Sequence, residues 1–278
     1  MNYGIKAPNP LPDATRIGRV RLQVSDVSRS AEFYQQVVGL RLIEQAANHA
    51  LLGVDDVVLV ELRAGATKPL AARHLGLYHF AILLPSRPAL GQALKRLMEL
   101  GIQPGAADHL VSEALYISDP DGLGIEIYRD RPRSEWRSNG QQIAMASDPL
   151  DFDGVLSSAS GSGSGSGSGS TGYAVPAGTV IGHVHLHVGD IDKAREFYHE
   201  KLGLDVMVWS YPGALFLSAG GYHHHLGLNT WAGPNAKASG PDEPKLLNWE
   251  LVVPAETGLE GTHEDPWKTV VEVVTSSK

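Results

Sequence analysis

The chain contains no cysteine among its 278 residues. It therefore has no disulfide, thiolate-bound zinc, iron–sulfur cluster or catalytic thiol, and any metal must be held by His, Asp or Glu. Positive charge is also scarce, because 23 Lys and Arg stand against 31 Asp and Glu, for a net charge of -8. Without clustered Lys and Arg we expect no nucleic-acid partner. The 12 His residues make a metal site the first hypothesis to examine.

Long hydrophobic runs are missing as well. No stretch approaches the roughly 18 apolar residues of a membrane span, and residues 1–10 lack the apolar segment of a signal peptide. We therefore expect a cytoplasmic protein with no membrane contact and a small molecule as its partner. The sequence also allows assembly into a homo-oligomer.

A Gly/Ser tract at 157–172 divides the chain into two lobes, 1–156 and 173–278. This composition predicts a flexible linker, engineered or natural, that carries no chemistry. The lobes begin alike, with Ile-Gly-Arg-Val-Arg-Leu-Gln-Val-Ser-Asp at 17–26 and Ile-Gly-His-Val-His-Leu-His-Val-Gly-Asp at 181–190. In both copies the period of two predicts a strand, and the final Asp is placed to cap a following helix.

Two further units follow the same order of elements. The second occupies 76–130, with a strand, a helix from about Ala89 to Leu100 and two closing strands. The fourth begins at Trp249 and has too few residues before its closing strand to contain a helix. The chain is therefore predicted to hold four related units, two in each lobe, with the last one truncated.

Histidines cluster in the third unit. His183, His185 and His187 alternate with apolar residues, so they share one face of the predicted strand. A polar outer face would explain any one of them, but three together are harder to explain in this way. A second run, 223–225, is predicted to lie on a neighbouring strand, with a polar edge strand as the alternative.

His79 and Glu126 interrupt apolar strands of the second unit. A lone His in such a strand is more often a hydrogen-bonded core residue than a ligand. A buried carboxylate, however, is costly unless it meets a cation or becomes neutral. A His and a Glu of one sheet, joined by a His from the facing unit, would form the two-His, one-carboxylate set that leaves open positions on Fe(II).

The closing sequence Asp-Pro-Asp-Gly-Leu-Gly-Ile-Glu-Ile-Tyr (119–128) and the opening Gly-His-Val-His-Leu-His-Val (182–188) resemble the vicinal oxygen chelate superfamily. Segments 76–80, 108–114 and 221–231 together resemble its CatE-type catechol 2,3-dioxygenases. The resemblance covers nearly all of the chain outside the linker and the truncated unit. It implies an α+β fold in which paired βαβββ modules form two open barrel-like cups.

The resemblance also implies the ligand set, which is His183 from the third unit with His79 and Glu126 from the second. This assignment requires the second and third units to pair across the linker. If each lobe paired internally, Arg19 would face the ligands of the second unit, and Trp249 would stand where the third unit needs a His. Neither of those sets is complete, so we expect the first and fourth units to form a metal-free partner barrel.

An acid–base group is implied too. His225, or its neighbour His224, falls where the family has its catalytic His, and His109 and Tyr116 match positions that line the family's site. Histidine suits proton shuttling because its unperturbed pKa is near 6.5. Tyr116 could equally be a core aromatic residue.

The function implied is that of a non-haem Fe(II) extradiol (meta) ring-cleaving dioxygenase of aromatic hydrocarbon catabolism, which takes a small aromatic diol and O2. Mn(II) would use the same ligands. One alternative is a glyoxalase-like metal-dependent isomerase or lyase, which would need a second carboxylate or amide ligand from the third unit. The other is a metal-free binding protein, which would have no reason to keep His79, Glu126 and His183 together.

Overall fold

The computed structural model describes residues 3–159 and 173–276. Most of the predicted linker, residues 160–172, lies outside the described residues. Its first residues are not coil, because a helix extends to Ser158, whose hydroxyl donates to the backbone oxygens of Val155 and Arg87. None of the helices in the described ranges has the length and hydropathy that crossing a membrane requires.

Strands dominate the described chain, and the helices are short. The helices are α1 (Val27–Phe33), α2 (Arg87–Glu99), α3 (Phe152–Ser158) and α4 (Ile191–Arg195); α1 and α4 continue as π-helical turns over Tyr34–Val38 and Glu196–Lys201, and 3-10 turns lie at Arg133–Glu135 and Ala255–Thr257. The strands are β1 (Arg16–Val24), β2 (Arg41–Ala46), β3 (His49–Val54), β4 (Val57–Ala64), β5 (His74–Leu83), β6 (Gly105–Asp108), β7 (Ser112–Ser118), β8 (Gly124–Asp130), β9 (Ser138–Asn139), β10 (Gln142–Ile143), β11 (Val180–His187), β12 (Asp205–Val208), β13 (Ala214–Ser218), β14 (Leu226–Asn229), β15 (Lys237–Ala238), β16 (Lys245–Val253), β17 (Gly261–Glu264) and β18 (Val270–Thr275).

Each large sheet is built from both halves of the chain. One has the order β12-β13-β14-β11-β5-β8-β7-β6, with β15 added beside β5, and the other has the order β17-β18-β16-β1-β4-β3-β2. Strands β5 and β11 are antiparallel, with His79 opposite His185. The second and third units therefore share one sheet and the first and fourth share the other, which confirms the predicted pairing across the linker. The α+β class of paired modules is confirmed as well.

The predicted ends of the helices follow local chemistry. Asp26 and Asp190 accept hydrogen bonds from the backbone N–H groups of Arg29 and Lys193, as N-cap residues do. Gly39 ends the first helical segment with a φ of 86°, a conformation that favours glycine. In the fourth unit, a single 3-10 turn joins β16 to β17 within the described residues, so the predicted loss of the helix is confirmed.

A buried Tyr–Asp contact occurs once in each half of the chain. Tyr34 donates to Asp119 Oδ2 over 3.3 Å, and Tyr198 donates to Asp265 Oδ2 over 2.9 Å. Oδ1 of each Asp accepts two backbone N–H groups of its own turn. The contacts attach the helix of the first unit to the closing turn of the second, and the helix of the third to the closing turn of the fourth, so they join the two sheets within each half of the chain.

Stability is expected to depend on the ionisation of Asp119. Burial raises its pKa from 3.8 to about 6, against the hydrogen bonds that it accepts. Because the folded pKa lies above the unfolded value, the protonated carboxyl stabilises the fold below pH 4, and this contribution is lost as the pH rises through 6. Its full size is about 3 kcal/mol. Denaturant titrations at several pH values should show the wild type losing this amount relative to Asp119→Asn, whereas parallel pH curves would contradict the assignment.

Candidate metal centre

Three adjacent strands bring two histidines and a glutamate together. His79 lies on β5, Glu126 on β8 and His183 on β11, and all three are buried. Glu126 Oε2 is 3.0 Å from His79 Nε2 and 3.1 Å from His183 Nε2. One donor atom from each residue lies within 4.8 Å of the other two. The structure thus brings together the three ligands that the sequence predicted.

The contacts fit a cation better than they fit hydrogen bonding alone. Both imidazole Nε2 atoms converge on a single carboxylate oxygen, and the Nε2 of His79 makes no hydrogen bond although it is buried. A buried nitrogen left without a partner is costly in a protein interior. Two imidazoles and one carboxylate are the donors that non-haem Fe(II) and related divalent ions take. The residues present therefore fit such an ion.

The charges of Glu126 and His79 suit ligation. Burial would raise the pKa of Glu126, but the His183 and His79 imidazoles outweigh this effect and hold that pKa well below its ordinary value. Burial lowers the pKa of His79, against the effect of Glu126. The carboxylate is therefore ionised and the His79 imidazole neutral, which are the forms that bind a metal ion.

Glycines make room for this packing. A Cβ atom at Gly182 would lie 1.8 Å from the hydroxyl oxygen of Tyr128, whose ring packs against that of His183. A Cβ atom at Gly124 would lie 2.1 Å from the backbone oxygen of Tyr78. Any side chain at either position would displace a strand or an aromatic ring beside a ligand. The Gly residues of the two recognised motifs therefore hold the ligand strands close together.

A cavity of about 170 Å³ opens onto two of these residues, His79 and Glu126. Its walls are formed mostly by imidazole and aromatic rings, which belong to His79, His109, His185, His224, Tyr78, Tyr116, Tyr211, Phe216 and Trp231. Glu126 is the one carboxylate among its described lining residues. Trp231, at 46% exposure, and Tyr78, at 40%, reach the surface at the mouth. The cavity can therefore hold a flat apolar ring beside the candidate metal site.

Comparison with known proteins agrees with this geometry. Residues 16–127 match the Glyoxalase/Bleomycin resistance protein/Dioxygenase superfamily, and residues 181–208 match the bleomycin resistance protein-like N-terminal family. The chain is 43% identical over 252 residues to catechol-2,3-dioxygenase of Bacillus subtilis (strain 168), covering 88% of this chain and 85% of that protein. The chain belongs to the Glyoxalase/Bleomycin resistance protein/Dioxygenase superfamily.

Solved structures show the superfamily fold. A Bacillus subtilis protein provisionally named a dioxygenase has a TM-score of 0.63 at 16% identity, covering 95% of this chain and 86% of that one. Glyoxalase I from Zea mays has a TM-score of 0.54 at 16% identity, covering 94% and 92%. At this level of identity the likeness concerns the fold alone.

His109 and Tyr116, which the sequence predicted to line the site, both line the cavity and contact each other. His109 Nδ1 donates to the backbone oxygen of Ala146 over 2.6 Å, so its Nε2 is the acceptor for the Tyr116 hydroxyl, also 2.6 Å away. Burial raises the pKa of Tyr116 well above its ordinary value. Tyr116 therefore lines the cavity as a neutral hydroxyl rather than as a plain core aromatic residue.

The histidine run does not lie on a strand, contrary to the sequence-based expectation. Residues 223–225 belong to the connection between β13 and β14, in which Gly220 and Gly221 have positive φ. His224 lines the cavity, with its ring centroid 4.1 Å from that of His183.

His225 is placed outside the described cavity lining. Its Nδ1 accepts the backbone N–H of Ala219 and lies 2.9 Å from the Ser218 hydroxyl oxygen. Burial lowers the pKa of His225 to about 3. Of the two neighbours offered as the acid–base group, the structure places His224 at the cavity and leaves His225 as a neutral acceptor behind it.

Sequence reasoning gave no role to His185 and Asn229. Asn229 is fully buried, with Nδ2 3.0 Å from His185 Nε2 and Oδ1 2.6 Å from His187 Nδ1. The amide thus donates to His185 and holds its ring in the cavity wall. A buried Asn at the end of the apolar stretch Leu-Gly-Leu-Asn was the available signal, because such a residue needs partners.

The sheet formed by the first and fourth units carries ion pairs between neighbouring strands. The guanidinium group of Arg19 lies 2.5 Å from Glu250 Oε1 and 3.5 Å from Glu61 Oε2, and Arg21 Nε is 3.0 Å from the same Glu61 oxygen. Burial would raise the pKa of Glu61, but its arginine neighbours lower it. Fixed cations thus balance these carboxylates.

Proposed function

We propose that the chain is an extradiol ring-cleaving dioxygenase, which inserts O2 into a catechol next to the diol. The observation that carries the proposal is the convergence of His79, Glu126 and His183 beside the aromatic-lined cavity. An engineered apolar cavity of about 150 Å³ binds benzene, so about 170 Å³ suits one ring. The identity to a catechol-2,3-dioxygenase supports the same reaction class.

His79, Glu126 and His183 would hold Fe(II), and Mn(II) would use the same ligands. When bound by two His and one carboxylate, Fe(II) offers open positions for the diol and O2 and mediates electron transfer between them. The described cavity-lining residues include neither a second carboxylate nor a side-chain amide, which argues against the isomerase alternative, because that alternative would need one of them.

The remaining cavity residues bind and orient the substrate. The rings of Phe216, Tyr78 and Trp231 provide apolar surface for the catechol ring. His224 is placed to accept a proton from a diol hydroxyl and to return it later. Tyr116, whose hydroxyl is held by His109, adds a hydrogen-bonding group on another wall. We further propose that the reaction belongs to cytoplasmic catabolism of aromatic compounds.

The proposal is tested with protein purified anaerobically and loaded with Fe(II). On addition of catechol and air-saturated buffer, we expect uptake of one O2 per catechol and a yellow ring-opened semialdehyde, followed by absorbance and an oxygen electrode. The Mn(II)-loaded protein is assayed in parallel. Absence of oxygen uptake with either ion, in protein that has bound the ion fully, would overturn the proposal.

A further inference from the structure

His224 is linked through His223 to Asp130, at the end of strand β8. Its Nδ1 lies 2.7 Å from His223 Nδ1, and His223 Nε2 lies 2.8 Å from Asp130 Oδ1. His223 is fully buried, whereas the Asp130 side chain is 26% exposed at the end of β8. A continuous hydrogen-bonded chain therefore runs from the cavity wall to a carboxylate near solvent.

The carboxylate sets the direction of these hydrogen bonds. An ionised carboxylate only accepts, so the His223 nitrogen that contacts Asp130 carries the proton. In neutral His223 the other nitrogen, Nδ1, is then an acceptor, and His224 must donate to it from its own Nδ1. This leaves Nε2 of His224 unprotonated, on a ring that lines the cavity.

The opposite direction requires a charged His223. Such an imidazolium would be fully buried, with its ring centroid 6.4 Å from that of His183. His183 is a candidate ligand of a divalent cation, so a second positive charge beside it would be repelled in an interior where charges are weakly screened. The neutral arrangement avoids this cost.

Neighbouring side chains hold His223 and Asp130 in place. The Tyr222 hydroxyl donates to the same Asp130 oxygen over 3.2 Å and lies 2.8 Å from the Tyr128 hydroxyl. The rings of Tyr222 and Trp136 pack against His223, with centroids 4.0 and 5.3 Å away. His223 is thus clamped between aromatic rings with both nitrogens engaged.

We propose that Asp130 and His223 are positioning residues that fix His224 in the tautomer whose Nε2 is a free base. A carboxylate holds the imidazole of a serine protease in its working tautomer by the same logic. In the base step, Nε2 would take the proton of one diol hydroxyl, which leaves a catecholate oxygen and a His224 imidazolium; the proton is returned to the oxygenated product. The catalytic consequence rests on the proposed function, whereas the tautomer does not.

The first test compares two substitutions of His223. In His223→Asn the side-chain oxygen falls near the former Nδ1 and can still accept from His224, whereas His223→Leu has no acceptor. We expect kcat for catechol to fall by roughly 10² or more in the Leu variant and by less than about tenfold in the Asn variant, with KM little changed in both. Equal kcat losses in two variants that bind Fe(II) fully would overturn the catalytic role.

Tyr222→Phe is the matched control, because it removes the other hydrogen bond to Asp130 Oδ1 and leaves His223 in place. We expect its kcat to remain within about threefold of the wild type, because the His223–Asp130 hydrogen bond that fixes the tautomer is still present. A loss as large as that of His223→Leu would mean that the whole cluster acts through packing, which contradicts a tautomer-specific role.

The second test needs no turnover. Long-range ¹H–¹⁵N correlation spectra of the Zn(II)-loaded protein, labelled with ¹⁵N-histidine, report which nitrogen of His224 carries the proton. We expect Nδ1–H in the wild type and in His223→Asn. A wild-type Nε2–H would overturn the inference even if the enzyme is active. If Nδ1–H is found in a protein that does not cleave catechol, the proposed function fails and the tautomer assignment stands.

Discussion

Replacing His183 with alanine is expected to abolish iron binding while the fold remains intact. The substitution leaves only His79 and Glu126 at the site, and two side chains hold a divalent ion weakly. The loss should exceed the roughly 10- to 100-fold that follows removal of an outer hydrogen-bonding partner. The backbone ladder between β5 and β11 does not depend on this side chain. Elemental analysis after anaerobic loading, with circular dichroism for the fold, measures both effects.

His79→Ala and Glu126→Ala should behave in the same way, because each removes one of the three ligands. Substitutions in the other sheet provide the controls. Glu272 accepts a hydrogen bond from Thr262 on β17, and Glu272→Gln should retain iron. Trp249→Ala should also retain iron, although deleting this fully buried ring costs about 3 to 5 kcal/mol. Full iron occupancy in His183→Ala, or loss of iron in Glu272→Gln at unchanged stability, would move the site elsewhere.

His224→Ala is expected to keep its iron and its affinity for catechol while turnover falls by roughly 10² to 10⁴, the usual contribution of a positioned acid or base. The reason is that His224 lines the cavity beside His183, yet its Nδ1 is engaged by His223. Steady-state oxygen uptake, together with catechol binding measured anaerobically, separates kcat from affinity.

His225→Asn is the matched control for His224→Ala. The Asn oxygen can still accept the Ala219 N–H that His225 accepts, so the turn should be preserved and turnover should stay near that of the wild type. If His225→Asn is inactive and His224→Ala is fully active, the structural placement of the run is refuted. If His224→Ala loses iron, His224 is a ligand, and the isomerase alternative returns.

The candidate ligand set came from the resemblance to the superfamily, whereas the strands and helix starts that carry it could be predicted from local signals. A period of two places His183 on a defined strand face, and an Asp before each helix marks its start. The pairing across the linker followed from counting ligands, since either lobe alone lacks one. The strand and helix assignments needed only residue type and spacing, whereas the ligand count depended on the pattern that the resemblance supplied.

The histidine run was assigned to a strand because its apolar flanks suggested one. Gly220 and Gly221 adopt positive φ and turn the chain instead. The alternation of side chains along a strand therefore does not decide which histidine faces the cavity. Asp130 could not be linked to His223 from sequence, because 93 residues separate them and only the sheet brings them together. Likewise, Arg19 and Glu250 form an ion pair although 231 positions separate them in the sequence.

The division of the ligands between β5, β8 and β11 links metal binding to assembly. His79 and Glu126 precede residues 160–172, and His183 follows them. An ion that binds only when both halves are docked stabilises the docked state by RT ln(1 + [M]/Kd), or about 2.7 kcal/mol at a hundredfold excess over Kd. A cation bound there would act as a reversible crosslink, and the availability of metal in the surroundings would then add to the free energy that holds the two halves of the chain together.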